Sequence, residues 1–314
     1  MDHLFIHERP RLYEPRMVLG FKGWMDGGHV STGTVELLAQ TCEARKFAEI
    51  DSLEFYIHNF PVATLPLAIL SDGDRAVVRA TNPMEQAAIF RPHTEISDGL
   101  IRRLTFQRND FLGSEAAALI LFSGEEPHIR WRTYADCLLG LAEDFGVRDL
   151  YFVGSVASPI PHTREPRVHL GVSHEQLKDA HRDAGLDFTN YEGPASFVTL
   201  LLTLAAARGL RMRSLVVELP HYPFLDIPTY PASLLRVASL LAEWLGLDLP
   251  LAELRRAAAA VGKQLDDLMA QNDDFRNLVR RLEDAYDAEE ASDEQDVLRR
   301  LMDQIDLGEE GQGP

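Results

Sequence analysis

The constraint that most narrows the fold of this chain is an alternation repeated over its first 230 residues. A short apolar run is followed by a turn rich in Gly, Pro and His, then by an amphipathic stretch of helical length. Strands alternating with helices predict a largely parallel sheet, because each helix returns the chain to the end of the sheet where the next strand starts. The clearest units are Met17–Phe21 with a helix over 30–40, and Ala117–Phe122 with a helix over 133–145. Leu150–Val153 is a further strand. Val168–Val172 leads to a helix from Glu175, and a long apolar helix over 195–208 leads to a strand at Arg213–Leu219. Ala76–Ala80 and Leu100–Phe106 read as antiparallel strands at the sheet edges.

After Pro231 only helices are predicted. Leu234, Leu235, Ala238, Leu241 and Leu245 recur at helical spacing, as do Phe275, Leu278, Val279, Leu282 and Tyr286. The expected organisation is an α/β domain over 1–230, a helical subdomain over 231–287, and an acidic, partly disordered tail over 288–314. Within that tail a short amphipathic run spans Val297 to Ile305.

With 46% hydrophobic and 25% charged residues, the chain has the composition of a globular protein. Its formal net charge of -18 excludes a general attraction to nucleic-acid phosphates or anionic lipid. Residues 284–314 hold 11 Asp or Glu against 2 Arg, so this last tenth carries half of the imbalance. The opening MDHLFIHERPR has no apolar stretch of signal-peptide length, and no run of about 18 apolar residues occurs, so the expected compartment is the cytoplasm. Cys42 and Cys137, the two cysteines, fall in predicted helices and read as reduced thiols.

In an open parallel sheet, ligands bind beyond the carboxyl ends of the strands, which directs attention to the segments that follow them. Gly20 to Gly28 reads GFKGWMDGG, whose glycines permit close backbone approach and whose following helix could receive an anion. The segment matches neither a Walker loop nor a dinucleotide fingerprint. Ser123 to His128 brings adjacent carboxylates, Glu125 and Glu126, of which an extended chain points only one inward; acids here also suit the N-terminus of the next helix. His162 and Arg164 lie among the prolines of PIPHTREP, and His221 and Tyr222 follow Pro220. Asp26, Glu125, His162, Arg164 and His221 are thus the candidate catalytic group, with histidine as base and Arg164 as an anion clamp. The wider set of candidate ligand contacts adds Gly23, Trp24, Gly27, Gly124, Thr163, Gly193 and Tyr222. No metal-ligand spacing and no cofactor motif is present in the sequence.

Six segments in order carry a resemblance: Gly20–Gly28; Gly124, Glu125 and Pro127 with Trp131; Pro161–Arg164; Tyr191–Pro194; Pro220–Tyr222; and Leu282–Glu283 with Tyr286–Asp287. Together, over about residues 15–287, they resemble the bacterial branch of the proteasome assembly chaperone 2 family. That resemblance implies a three-layer α/β/α sandwich of the phosphorylase/hydrolase-like kind, self-association as a homo-oligomer, and a protein client. It implies no catalytic residues and no cofactor. The turn at Met25-Asp26-Gly27-Gly28 departs from the family's more usual Asn-Asp-Ala-Gly, and Glu165 separates Arg164 from Pro166. Members that dock on the proteasome end in a hydrophobic residue, a tyrosine and a last residue. Gly311 to Pro314 do not match, so docking by that route is not expected.

Two functions follow as expectations. One is a non-enzymatic, self-associating protein that binds a partner or assembly intermediate. The other is a hydrolase or phosphorylase-like enzyme acting on a small anionic substrate at the carboxyl edge of the sheet. Lys22, Arg130, Arg132, Arg164 and Arg167 lie in or near the same turns and predict a cleft less acidic than the chain as a whole.

Overall fold

The computed structural model describes residues 3–58, 91–179, 186–222, 225 and 227–289, and the backbone alone of 68–72 and 75–79. The amphipathic run from Val297 and the tail around it lie outside the described residues. The chain divides into two compact units. The first holds Met1–Asp26, Ser31–Gly154 and His169–Leu215; the second holds Gly27–Val30, Ser155–Val168 and Val216–Pro314.

The strands are β1 (Leu4–Ile6), β2 (Arg16–Lys22), β3 (Arg45–Ile50), β4 (Ala68–Asp72), β5 (Arg75–Arg79), β6 (His93–Ser97), β7 (Leu100–Thr105), β8 (Asp110–Ser114), β9 (Leu119–Glu125), β10 (Asp149–Ser158), β11 (Val168–Val172), β12 (Asp187–Phe188) and β13 (Arg211–Pro220). Nine of them form one sheet in the order β1-β3-β8-β9-β2-β10-β13-β11-β12. Pairing is parallel between β9 and β2, β2 and β10, and β11 and β12. It is antiparallel at the end formed by β1, β3, β8 and β9. This is the α/β sheet expected from the alternation, with an antiparallel end that the expectation assigned to other strands. Residues 76–79 and 100–105 instead pair locally, β4 with β5 and β6 with β7, as separate two-stranded ribbons. Local hairpin closure wins there because each partner strand is only a turn away.

Met17, Val18 and Leu19 have no exposed surface, although successive strand residues point to opposite faces, so the sheet is covered on both sides. Helix α1 (Val30–Thr41) lies over the Gly20 side, where a Cβ would meet Ser31 O and Val35 Cγ2 at 2.7 Å. The Phe21 side packs against Phe197, ring centroids 5.5 Å apart. Helix α2 (Trp131–Asp144) puts Tyr134 on Phe197 at 5.4 Å, on that same side. The short helix α3 (Gln176–Asp179) follows β11, and α4 (Phe197–Ala207) begins at Phe197 itself. Cys42, expected within a helix, lies one residue past the end of α1, though its N–H still bonds to Leu38 O at 2.9 Å. Cys137 is buried in α2. Burial raises both thiol pKa values, that of Cys137 to about 11.

Strands β10 and β13 run on past Gly154 and Leu215 into the second unit. Its helices are α5 (Pro231–Leu245), α6 (Ala252–Gln271) and α7 over 273–289. Pro231 sits at the start of α5, where its missing N–H costs nothing, and Gly246 closes it in the left-handed region at φ 62°. Both predicted apolar stripes turn inward, with Ala238, Leu241 and Leu245 buried on one and Phe275, Val279 and Tyr286 on the other. Phe275 and Val279 join Leu219, Tyr222, Tyr230 and Leu265 in one core. Gly28, at φ 59°, lets Tyr230 approach so closely that a Cβ would lie 2.9 Å from the tyrosine's own. Helix α7 reaches Glu289, so the first two residues of the predicted acidic tail are helical.

Candidate functional site

The candidate residues fall in both units. Asp26, Glu125, Gly23, Trp24, Gly124 and Gly193 belong to the first; Gly27, His162, Thr163, Arg164, His221 and Tyr222 belong to the second.

In the first unit Asp26 closes the turn into α1. Its Oδ1 accepts the N–H of Thr32 at 3.0 Å and its Oδ2 the hydroxyl of Thr32 at 2.7 Å, the work of a helix-capping carboxylate. β2 and β9 run parallel with Lys22 opposite Glu125. Lys22 Nζ stands 3.6 Å from Glu125 Oε1. The backbone carbonyl of Glu125 accepts the Tyr56 hydroxyl at 2.8 Å. Glu126 takes a role that the sequence did not give it. Its Oε2 accepts the N–H of Trp24 at 3.3 Å and its Oε1 the N–H of Phe197 at 2.9 Å. It therefore caps α4 and not the helix that follows it in sequence. Gly23, at φ 147°, passes so near that a Cβ would come within 2.9 Å of Glu126 Cβ. Gly124 leaves room for the Phe122 ring, and Gly193 is exposed beside Tyr191. Lys22, Gly23, Trp24 and Glu125 line an open cleft of about 910 Å³.

In the second unit the PHTR segment meets the C-terminal helices. His162 has only 1% of its side chain exposed. Its backbone N–H donates to the Tyr222 hydroxyl at 2.9 Å, and its Nδ1 lies 2.7 Å from that same oxygen. Nε2 faces Asp266 Oδ1 of α6 at 3.3 Å. Thr163 donates to Glu283 Oε1 at 2.6 Å. Arg164 spans two turns of α7, with Nη1 on Glu283 at 3.2 Å and both Nε and Nη2 on Asp287 at 2.8 Å. Arg167 stacks its guanidinium over the Tyr286 ring, 3.9 Å from the centroid. The Tyr286 hydroxyl donates to Glu165 O at 2.9 Å. Four successive residues, His162 to Glu165, thus tie one proline-bounded turn to α6 and α7.

The electrostatics follow from these contacts. Burial holds the His162 imidazole below its ordinary range, partly offset by Asp266 and Glu283. Burial also pushes the Tyr222 phenol up to about 12. The Arg164 guanidinium keeps Asp287 below the usual carboxylate range. His221 is exposed, its backbone N–H bonded to Ser158 O at 3.0 Å. Gly27 O accepts the Ser155 hydroxyl at 2.7 Å. Asp266 and Glu126 were absent from the candidate set. Asp266 sits beside a second aspartate, Asp267, and Glu126 beside an equally plausible glutamate, so neither had a distinguishing sequence signal. Among the described residues no group of three or more His, Cys, Asp or Glu is placed to hold a metal ion, and no helix is long and apolar enough to cross a membrane.

A family model described as PAC2 family matches residues 20–269. A search of curated proteins returns no significant match. Among solved structures, a Mycobacterium tuberculosis protein of unknown function is 22% identical at TM-score 0.71, covering 94% of this chain and 92% of its own. A proteasome-assembly chaperone homologue from the same organism is 23% identical at TM-score 0.66, covering 84% and 99%. A Pyrococcus furiosus proteasome activator is 20% identical at TM-score 0.59, covering 85% and 99%. At these identities the likeness concerns the fold.

Proposed function

This chain belongs to the PAC2 family, and from that footing we propose that it is a non-enzymatic, self-associating cytoplasmic protein that binds a protein partner or an assembly intermediate. The observation that carries the reading is the occupation of His162 and Arg164. The two groups best suited to act as base and anion clamp have their polar atoms turned onto Tyr222, Asp266, Glu283 and Asp287, as structural ties do. A catalytic base needs a substrate proton within hydrogen-bonding reach, and His162 is nearly wholly covered. Association is supported by the β6–β7 ribbon. Ile96 pairs with Ile101, and these two and Leu104 are 63%, 67% and 52% exposed, an apolar surface on a ribbon that two strands alone stabilise poorly. The family names of the relatives suggest a partner of the proteasome type, and the net charge of -18 argues against nucleic acid and anionic membrane as partners.

Native mass spectrometry of the purified chain, alone and mixed with separately purified proteasome α-type subunits, tests this. The reading expects a defined homo-oligomer and a complex of fixed stoichiometry with the subunits. A monomer at every concentration that forms no complex would overturn it.

A further inference from the structure

We propose that the cleft at the carboxyl ends of β2 and β9 binds an extended peptide segment that sets a large apolar side chain beside a carboxylate. This deepens the partner-binding reading and rests on it.

The cleft's volume of about 910 Å³ suits several side chains. Its walls are largely apolar. Trp24 presents an indole that is 62% exposed, and Trp131 is held in place by its Nε1–H donating to Pro127 O at 2.7 Å. Ile57 and Phe106 extend that surface. Exposed indoles around a groove are the usual anchors of protein recognition.

Lys22 and Arg91 line the same cleft, on a chain whose net charge is -18. Lys22 is 71% exposed and stands 3.6 Å from Glu125, so an incoming carboxylate can compete for it. A phosphate would want free backbone amides, yet three beside the cleft are taken. Trp24 N–H and Phe197 N–H both donate to Glu126, and Asp26 N–H donates to Gly23 O at 3.3 Å. Gln107 points to a peptide. It lines the cleft, and its Oε1 is buried with no donor, so a turn of its amide toward the cleft would give it a peptide N–H to accept.

Trp24 and Trp131 are two of the three tryptophans, so intrinsic fluorescence reports on the site directly. The probes are three capped tetrapeptides, Asp-Leu-Phe-Glu, Lys-Leu-Phe-Lys and Asp-Ser-Ser-Glu, and inorganic phosphate. The expected result is a saturable change with the first peptide alone, weakened about tenfold in Lys22→Glu, which reverses an exposed charge. Trp24→Ala should weaken it by a similar factor, with Trp131 still reporting. Equal responses to all three peptides, no saturable response, or saturation by phosphate would overturn the proposal. Stoichiometric complexes seen by native mass spectrometry and unchanged in both variants would sink this site while leaving partner binding standing.

Discussion

Arg164 holds Asp287 through two parallel hydrogen bonds of 2.8 Å, Nε–H to Oδ1 and Nη2–H to Oδ2. This paired geometry is specific to a guanidinium facing a carboxylate, and a lysine could not reproduce it. It links two segments 123 residues apart in sequence, a turn after β10 and the last described helix. The same turn supplies His162 to Tyr222 and Thr163 to Glu283, so the residues expected at a reaction site also tie these segments together.

Phe275 is fully buried at the centre of that fastening, stacked parallel to His162 with 8° between ring planes and edge-on to Tyr222 at 4.9 Å. Phe275→Ala should cost about 3–5 kcal/mol, from lost burial and the cavity left behind. Urea denaturation followed by a probe in the second unit measures it. A change below about 1 kcal/mol would mean that the ring is not packed as described.

Tyr222→Phe removes the hydroxyl that accepts the His162 N–H and meets Nδ1. Leaving those buried groups unpaired should cost about 1–3 kcal/mol with little change in packing. The same denaturation experiment applies, and a neutral result would show that water replaces the hydroxyl.

The pH dependence follows from His162. Its folded pKa lies below the ordinary 6.5, so the unfolded chain takes up the proton first. Stability from the neutral imidazole is complete above 6.5 and declines as pH falls through that value toward the lower folded one. Asp266 and Glu283 moderate this decline without reversing it. The midpoint for the second unit should fall between pH 8 and 5, and His162→Gln should flatten the slope. Identical slopes in wild type and variant would contradict this.

Legibility in the sequence tracked the range of the interactions. Met17–Phe21 and the helix after it were readable because apolar spacing is local, and both stripes after Pro231 turned inward as their periodicity implied. β1, β3 and β8 were missed because antiparallel pairing at a sheet end depends on partners far along the chain. Leu100–Phe106 was read as a strand correctly but placed in the wrong sheet, since nothing in seven residues says what lies alongside. The motif turns were recognised as unusual. That Arg164 reaches Asp287 and Glu126 reaches Phe197 depends on distant contacts that composition and spacing do not encode.

Glu126→Ala should unpin the start of α4 by removing the acceptor for Phe197 N–H and, with it, the acceptor for Trp24 N–H. A lost cap costs about 0.5–2 kcal/mol, and the loss should appear in the stability of the first unit. Glu125→Ala provides the contrast, since its side chain makes only the long approach to Lys22 among the contacts described and should change stability little. If the two variants were equally destabilised, the assignment of roles to these neighbours would be wrong.

If the PHTR segment fastens the C-terminal helices, amide hydrogen exchange on Arg164→Ala reads the loss of that fastening. Exchange should speed up across residues 273–289, where Glu283 and Asp287 lose their partner, while β2 and β9 in the first unit keep wild-type protection. Unchanged exchange over 273–289 would contradict this role for Arg164 and leave an anion-binding role open to it.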